Sequence, residues 1–565
     1  MSNVTAADEA ILMQSATQKG HPKGLGVLFA TEMWERFNFY GMRAILSLFI
    51  AEALLMGEKQ ASLIYGGFLG LCYLTPMLGG YISDKYLGNR NCILLGGFLM
   101  ALGQLLLFFS ASTFASSLPA ATTLMWVALG VIVFGNGFFK PNISSMVGQL
   151  YPKEQKTKLD SAFTIFYMGI NVGAFLGITI CPLLGDVKHD GVRDLSAFKW
   201  GFLAASAAMF LGTVLFFFLK NRYVVTPAGE AIGARPDRNA VYEGESTQAK
   251  FTSGAIGMAA LIFAGLVAFF YFIGGQNIIY SIIYGAGISL AVLIMTDATI
   301  TKVERQRILV LYIIAFFVIF FWAAFEQAGS SLTFIADKQT DTHIFGWEMP
   351  PSMIQNFNSF FVIFLALPMS ALWTWLASRK AEPISPVKQA AGLALIAIGY
   401  FIIATQVKGL GTAGKIGIIW MIILYLLHTI GELCLSPIGL SLVAKLAPKR
   451  FASLLMGVWF LGNAAGYALT GTLGALLPPT GDKYAEAATK GIDLAAVLDK
   501  KVTLSPDQAA FLAEKKIPTA YTEFAGFTIH NLYEFFMVFV ILCGVASVVL
   551  YALTPLLKRM MHGVR

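Results

Sequence analysis

Seven charged side chains stand inside stretches of sequence that are otherwise apolar: Glu32, Glu35, Arg36 and Arg43 in one stretch, Lys140 in a second, Glu326 in a third and Glu432 in a fourth. A charge at the centre of a bilayer costs about 2.5–3.5 kcal/mol on insertion scales, so charges retained there are functional candidates by default. Both signs are present, and pairing inside a wet cavity offsets much of that cost. The chemistry open to such a set is ion pairing, proton binding by carboxylates, and recognition of a charged solute by guanidinium, ammonium and carboxylate groups. On a helix of about 3.6 residues per turn, Glu32, Arg36, Tyr40 and Arg43 share one stripe and Glu35 occupies the adjoining row. One face of that helix therefore points into a polar cavity.

The elements that must position these groups follow from composition. A soluble chain carries about a quarter charged residues; this one, of 565 residues, has 13% charged and 57% hydrophobic, with mean hydropathy +0.69. Apolar stretches of roughly 20 residues, long enough to cross a hydrocarbon core as helices, recur about fourteen times. They are expected at 23-55, 61-82, 91-111, 122-150, 159-184, 198-219, 252-273, 277-296, 308-335, 353-376, 388-406, 416-443, 450-476 and 530-557. The fold class is thus an all-α polytopic membrane protein. Lys and Arg crowd alternate loops (Lys85 and Arg90; Lys153, Lys156 and Lys158; Lys220, Arg222, Arg235 and Arg238; Lys302, Arg305 and Arg307; Arg379, Lys380 and Lys388; Lys445, Lys449 and Arg450; Lys558, Arg559 and Arg565), and that face is the cytoplasm. An even number of spans places both termini inside.

The domain boundaries expected are a cytoplasmic tail 1-22, a six-helix bundle 23-219, a polar cytoplasmic linker 220-250, two extra helices within 251-297, a second six-helix bundle 298-557 and a short tail 558-565. Two six-helix bundles with a site between them near the midplane are a common carrier layout. The extra pair has almost no ionisable residue and is expected to pack peripherally against lipid. The polar stretch 478-529, outside the membrane, reads equally as a folded cap or a disordered loop. No removable signal peptide is apparent at the N-terminus. The five cysteines fall singly in apolar spans, so neither a metal site nor a disulfide is expected. Net charge +8 reads as topology and contact with anionic lipid, with no support for nucleic-acid binding. HExxH, GxSxG and phosphate-loop patterns are lacking, which argues against an enzyme.

The segment GGYISDKYLGNR, with Gly80, Asp84, Gly88 and Arg90, resembles the cytoplasmic loop motif of the major facilitator superfamily. More specific runs follow. EMWERFNFYG resembles the ExxERFxYYG signature of the proton-dependent oligopeptide transporter family, and GNGFFKPNISSMVG, FYMGINVGAF, FWAAFEQ and GELCLSPIGLS match further family segments in order. The short loop 407-415 is similar to that of bacterial members, while 478-529 matches no family segment.

The resemblance implies a major facilitator fold and a proton-coupled symporter of di- and tripeptides in the inner membrane, working as a monomer, with the co-transported proton in place of a cofactor. It assigns proton coupling to Glu32, Glu35, Arg36, Lys140 and Glu326. The peptide carboxylate falls to Arg36 and Lys140, and the peptide amino terminus to Glu432. Asn171, Asn358 and Ser436 supply polar contacts, and Tyr40, Tyr73, Trp322 and Trp459 the aromatic pocket walls. Arg43 and Glu326 form a gate salt bridge. Phe39 departs from the signature, where relatives carry Tyr, and removes one phenol hydroxyl from the pocket. The alternative is the same fold carrying nitrate or another small solute, for which an ammonium-binding Glu432 has little use. His428, the only histidine inside a span, is expected to be structural.

Overall fold

A computed structural model describes residues 20–151, 158–189, 191–226, 229–235, 251–448 and 451–564. The expected tail 1-22 up to residue 19, most of the linker 220-250, and Lys153, Lys156, Arg238, Lys449, Arg450 and Arg565 lie outside the described residues.

Fourteen helices of 16 or more residues are present among the described residues. The first seven are α1 (Lys23–Leu48), α2 (Gly57–Leu74), α3 (Asn89–Thr113), α4 (Leu118–Gln149), α5 (Leu159–Gly185), α6 (Phe198–Tyr223) and α7 (Ser253–Ala268). The rest are α8 (Ile278–Met295), α9 (Lys302–Phe325), α10 (Asn356–Ser378), α11 (Ser385–Val407), α12 (Ile418–Leu446), α13 (Ala452–Gly474) and α14 (Leu532–Met560). Twelve segments among the described residues are long and apolar enough to cross a membrane. The helices outside those twelve are α1, which carries the first four of the embedded charges, and α13. Both are helical where spans are expected.

Compactness departs from sequence order at one place. One unit comprises Met1–Ile45 and Leu74–Tyr242, the other Leu46–Tyr73 and Glu243–Arg565. The distal end of α1 and nearly all of α2 thus pack with the second half of the chain.

In the first unit α3 packs along α4 and α6. Close approach is made by glycine. A Cβ on Gly169, Gly173 or Gly177 of α5 would lie 2.9 Å from Phe29 Cδ2, 2.1 Å from the Met33 carbonyl oxygen and 2.4 Å from the Phe37 carbonyl oxygen of α1. This stripe of small residues at four-residue spacing lets the backbones touch, and it fixes the rotation of α1 and hence where its charges point. Gly173→Val is therefore expected to lower the thermal midpoint in detergent by the equivalent of about 1–3 kcal/mol, the usual cost of overpacking. Gly130→Val, where nothing lies within 4 Å, should leave it unchanged. In α4, Pro141 has no N–H to give the Gly137 carbonyl, and that oxygen lies 2.0 Å from where a Cβ on Gly79 would be.

Arg90 of the loop motif ties the start of α3 to the end of α6 and the segment beyond it. Its guanidinium donates to the carbonyl oxygens of Ile232 (2.6 Å), Lys220 (3.2 Å) and Val224 and to Asn221 Oδ1 (2.9 Å). Gly88 before it adopts φ +73°, a left-handed turn that glycine makes without strain.

In the second unit α11 packs on α12 and α14, and α9 on α13 and α14. The extra pair corrects one expectation. Helix α7 is largely exposed, with Leu261 on it and Phe272 just after it more than three-quarters exposed. Helix α8 is built into the unit: Tyr280 is fully buried and its hydroxyl donates to the Leu63 carbonyl at 2.8 Å. The glycines Gly66, Gly67 and Gly70 of α2 accept Tyr280 and Ile283 at close range, which is why a helix without ionisable residues packs against protein rather than lipid alone.

The stretch 478-529 is folded. Helices Gly481–Ala488, Leu494–Leu498 and Pro506–Glu514 and a hairpin of Thr522–Phe524 with Phe527–Ile529 surround a core of Ala487, Ile492, Val497, Leu498, Leu512 and Ile517.

Candidate functional site

Helix α1 gathers three of the expected residues into one cluster. Arg36 Nε lies 2.7 Å from Glu32 Oε1 and 2.8 Å from Glu35 Oε2, with all three side chains at least nine-tenths buried. The i,i+4 spacing stacks Glu32 and Arg36 on one helix face, with Glu35 three residues from Glu32 on the neighbouring row. Two carboxylates thus share one guanidinium edge, with the Nε hydrogen bond going to Glu32 Oε1 and Glu35 held as an ion pair, while Glu32 Oε2 and both Glu35 oxygens find no hydrogen-bond donor among the described residues. Lys140, partly buried on α4, acts electrostatically on Glu35. The set holds two negative and two positive groups, the composition of a site that can exchange a proton or a ligand carboxylate for an internal pair. One turn further, the Arg43 guanidinium lies 4.8 Å from the Tyr40 ring centroid, a cation–π contact that holds both side chains on the charged stripe. Phe39 is buried against Tyr40, its ring 5.7 Å away. Below them Gln104 Nε2 of α3 donates to Asn38 Oδ1 at 2.6 Å.

The second unit holds a separate polar pair. Asn358 Nδ2 donates to Glu432 Oε2 and to Thr429 Oγ1, both at 3.0 Å, which joins two expected residues from α10 and α12. Tyr73, Tyr467 and Trp322 form a continuous aromatic wall, with ring centroids 4.5 and 5.8 Å apart. Trp459 packs its indole against Gly439 of α12, where a Cβ would come within 2.1 Å of Cζ2. His428 is buried and ringed by Tyr400, Phe325 and Tyr425 at 4.9, 6.1 and 6.4 Å, a packed aromatic environment.

Glu326 stands where α9 breaks. The helix expected at 308-335 ends at Phe325, continues as a 3-10 turn Glu326–Gly329 and resumes as Ser331–Lys338. A break inside a membrane is tolerated only where the freed backbone groups are re-satisfied. Here Tyr400 donates to the Ala324 carbonyl at 2.7 Å, Gln327 Nε2 to those of Ala323 and Thr470 at 3.0 Å, Thr333 to that of Ala328 at 2.7 Å, and Ser47 to that of Gly329. Glu326 is 4% exposed and accepts from the Tyr65 hydroxyl at 3.4 Å.

Asn171 donates to the Tyr167 carbonyl of its own helix at 2.9 Å. The Ser436 side chain lies outside the described residues. Sequence reading missed Tyr467, Tyr65 and Thr429. Tyr467 follows Trp459, and Tyr65 precedes Tyr73, by eight residues, a spacing that returns to within about a quarter-turn of the same helix face. That spacing was the available signal. The polar run QAGSS after Glu326 was likewise the signal for the helix break. A cavity of about 620 Å³ lined mainly by α8, α9 and α13 contains no Asp, Glu, Lys or Arg.

Long apolar helices, a re-satisfied break in one of them and opposite charges buried within their length define a polytopic membrane protein of the solute-carrier class. The sequence signature described as PTR2, POT family, matches residues 90–480. The chain is 33% identical to a peptide transporter of Yersinia enterocolitica over 80% of its own length and 88% of that protein. It is 28% identical to dipeptide and tripeptide permease B of Aliivibrio fischeri over 80% and 85%. Among solved structures, a POT family transporter in complex with 5-aminolevulinic acid superposes with TM-score 0.70 at 26% identity, covering 95% of this chain and 97% of that one. A peptide transporter POT in complex with alafosfalin superposes with TM-score 0.71 at 28% identity, covering 97% and 98%. The chain belongs to the POT family, with the major facilitator fold of its members.

Proposed function

We propose that this protein is an inner-membrane symporter that imports di- and tripeptides together with protons by alternating access. The observation that carries the reading is the buried Glu32–Glu35–Arg36 cluster, in which two carboxylates compete for one guanidinium beside Lys140. Protonation of a carboxylate frees Arg36 and Lys140 to take a peptide carboxylate, and departure of the proton restores the internal pair, so substrate and proton move together. Glu432, oriented by Asn358, takes the α-ammonium. The aromatic wall receives variable side chains through apolar surface, which tolerates many residues. Arg43 and Glu326 serve as a gate pair whose partnership ends when Glu326 is protonated. The names of the relatives agree with a peptide substrate. Nitrate, the alternative solute, offers nothing for Glu432 to bind.

A proton moving down about 100 mV supplies roughly 2.3 kcal/mol, or about fiftyfold accumulation per charge. Purified protein in liposomes is expected to concentrate Ala-Ala when the outside is acidic, and Glu32→Gln to remove concentrative uptake. Uptake of nitrate with no response to dipeptides would overturn the substrate. Ala-Ala accumulation indifferent to a proton ionophore would overturn the coupling.

A further inference from the structure

The family signature ends at residue 480, where the folded subdomain begins. One edge of that subdomain meets the start of α2. Lys483 Nζ lies 3.5 Å from Glu58 Oε1 at the start of α2, and both side chains are largely buried, at 16% and 22% exposure. Gly57, with φ +74°, comes against Lys516: a Cβ there would lie 3.0 Å from Lys516 Cβ. A few residues earlier, Glu52 Oε1 in the turn Phe49–Ala53 is 3.0 Å from Lys338 Nζ, which also holds Asp337 Oδ2 at 3.0 Å. Asp482 of the subdomain acts on the same Lys338. Lys338 ends the helix Ser331–Lys338 that follows the Glu326 break.

The subdomain is itself fixed to the bundle. Thr522 Oγ1 donates to the Leu476 carbonyl at 2.9 Å, and Gly481 meets the Thr412 carbonyl so closely that a Cβ would lie 1.8 Å from its oxygen. Its own core makes it a rigid body rather than a tether. The contact surface pairs opposite charges at Lys483 and Glu58, and Asp482 adds a negative charge that acts electrostatically on Lys338.

We infer that residues 481–529 form a clamp whose docking surface is the extracytoplasmic start of α2, holding that end beside Lys338 and releasing it when the outer mouth opens. A carrier that alternates must part this surface once per cycle. The clamp therefore sets how often the outer side opens, independently of what is carried. Its consequence for uptake rests on the alternating-access reading, but the clamp is testable without substrate.

The test uses the full-length protein in right-side-out liposomes, with Ser62→Cys as reporter. Ser62 is fully buried, and its hydroxyl accepts from Ser330 Oγ at 2.9 Å in the same region. The five native cysteines are buried, and the parent without the reporter gives their background. Labelling by a membrane-impermeant maleimide is expected to speed up about threefold with Lys483→Glu and with Glu58→Lys, the scale of one partly screened ion pair. The double variant should return to near the parental rate. Lys500→Glu, on an exposed turn of the subdomain, should not change it. Elution profile and thermal midpoint check that each variant is folded. Parental labelling in both single variants, or acceleration in the double variant equal to the product of the singles, would overturn the clamp. Loss of dipeptide uptake in the parent with the labelling pattern intact would count against the peptide reading alone.

Discussion

Arg36→Leu is expected to abolish uptake and to destabilise the protein by about 3–5 kcal/mol, the cost of breaking a buried ion pair by removing one partner. The size follows from the geometry: one Nε serves Glu32 at 2.7 Å and Glu35 at 2.8 Å, so the substitution strands two carboxylates at once. Arg36→Lys should recover part of the stability but little transport, because an ammonium restores the charge without the planar fork that can serve an internal carboxylate and a ligand carboxylate together. The triple variant Glu32→Gln, Glu35→Gln, Arg36→Leu separates the two effects. It removes every charge of the cluster and should be more stable than Arg36→Leu while remaining inactive. Thermal midpoints in detergent and liposome uptake measure both quantities. Equal stability for the single and triple variants would show that the carboxylates do not depend on Arg36.

Glu432→Gln is expected to raise KM for Ala-Ala about 10- to 100-fold, from the loss of a charge-assisted hydrogen bond worth about 1.5–3 kcal/mol. The isosteric amide keeps the volume, and the Asn358 amide can still donate to its oxygen, so the fold should persist. The diagnostic is a competitor lacking the ammonium. N-acetyl-Ala-Ala should compete poorly against the parent protein and no worse against the variant, since the contact it cannot make is the one removed. An unchanged KM for Ala-Ala would place the peptide amine elsewhere.

The cluster on α1 was legible because its geometry is local: residues 32, 35 and 36 meet by helical periodicity, whatever surrounds the helix. The spans were legible for the same kind of reason, since about 20 apolar residues have no stable state outside lipid except as a buried helix. Glu432 and Asn358 were each visible as a polar group in an apolar span. Their hydrogen bond joins residues 74 positions apart, and no pattern along the chain reports a separation of that kind. The Glu326 break was hidden because its stability comes from hydroxyl and amide donors on other helices, among them Tyr400 and Ser47. The role of α8 was hidden in the same way. Its sequence is as apolar as that of α7, and only the glycines of α2 decide that it packs inward.

By itself, then, the sequence determined that this is a helical membrane protein, where its charges lie along each helix and, through its motifs, its family. These depend on composition, on period and on short runs. The tertiary structure decided which distant side chains complete each charged cluster, that α9 is discontinuous at Glu326, and that 478-529 is a folded body in contact with the start of α2. Those outcomes depend on steric fit and hydrogen-bond satisfaction between segments far apart in the chain, which are set only once the helices have packed.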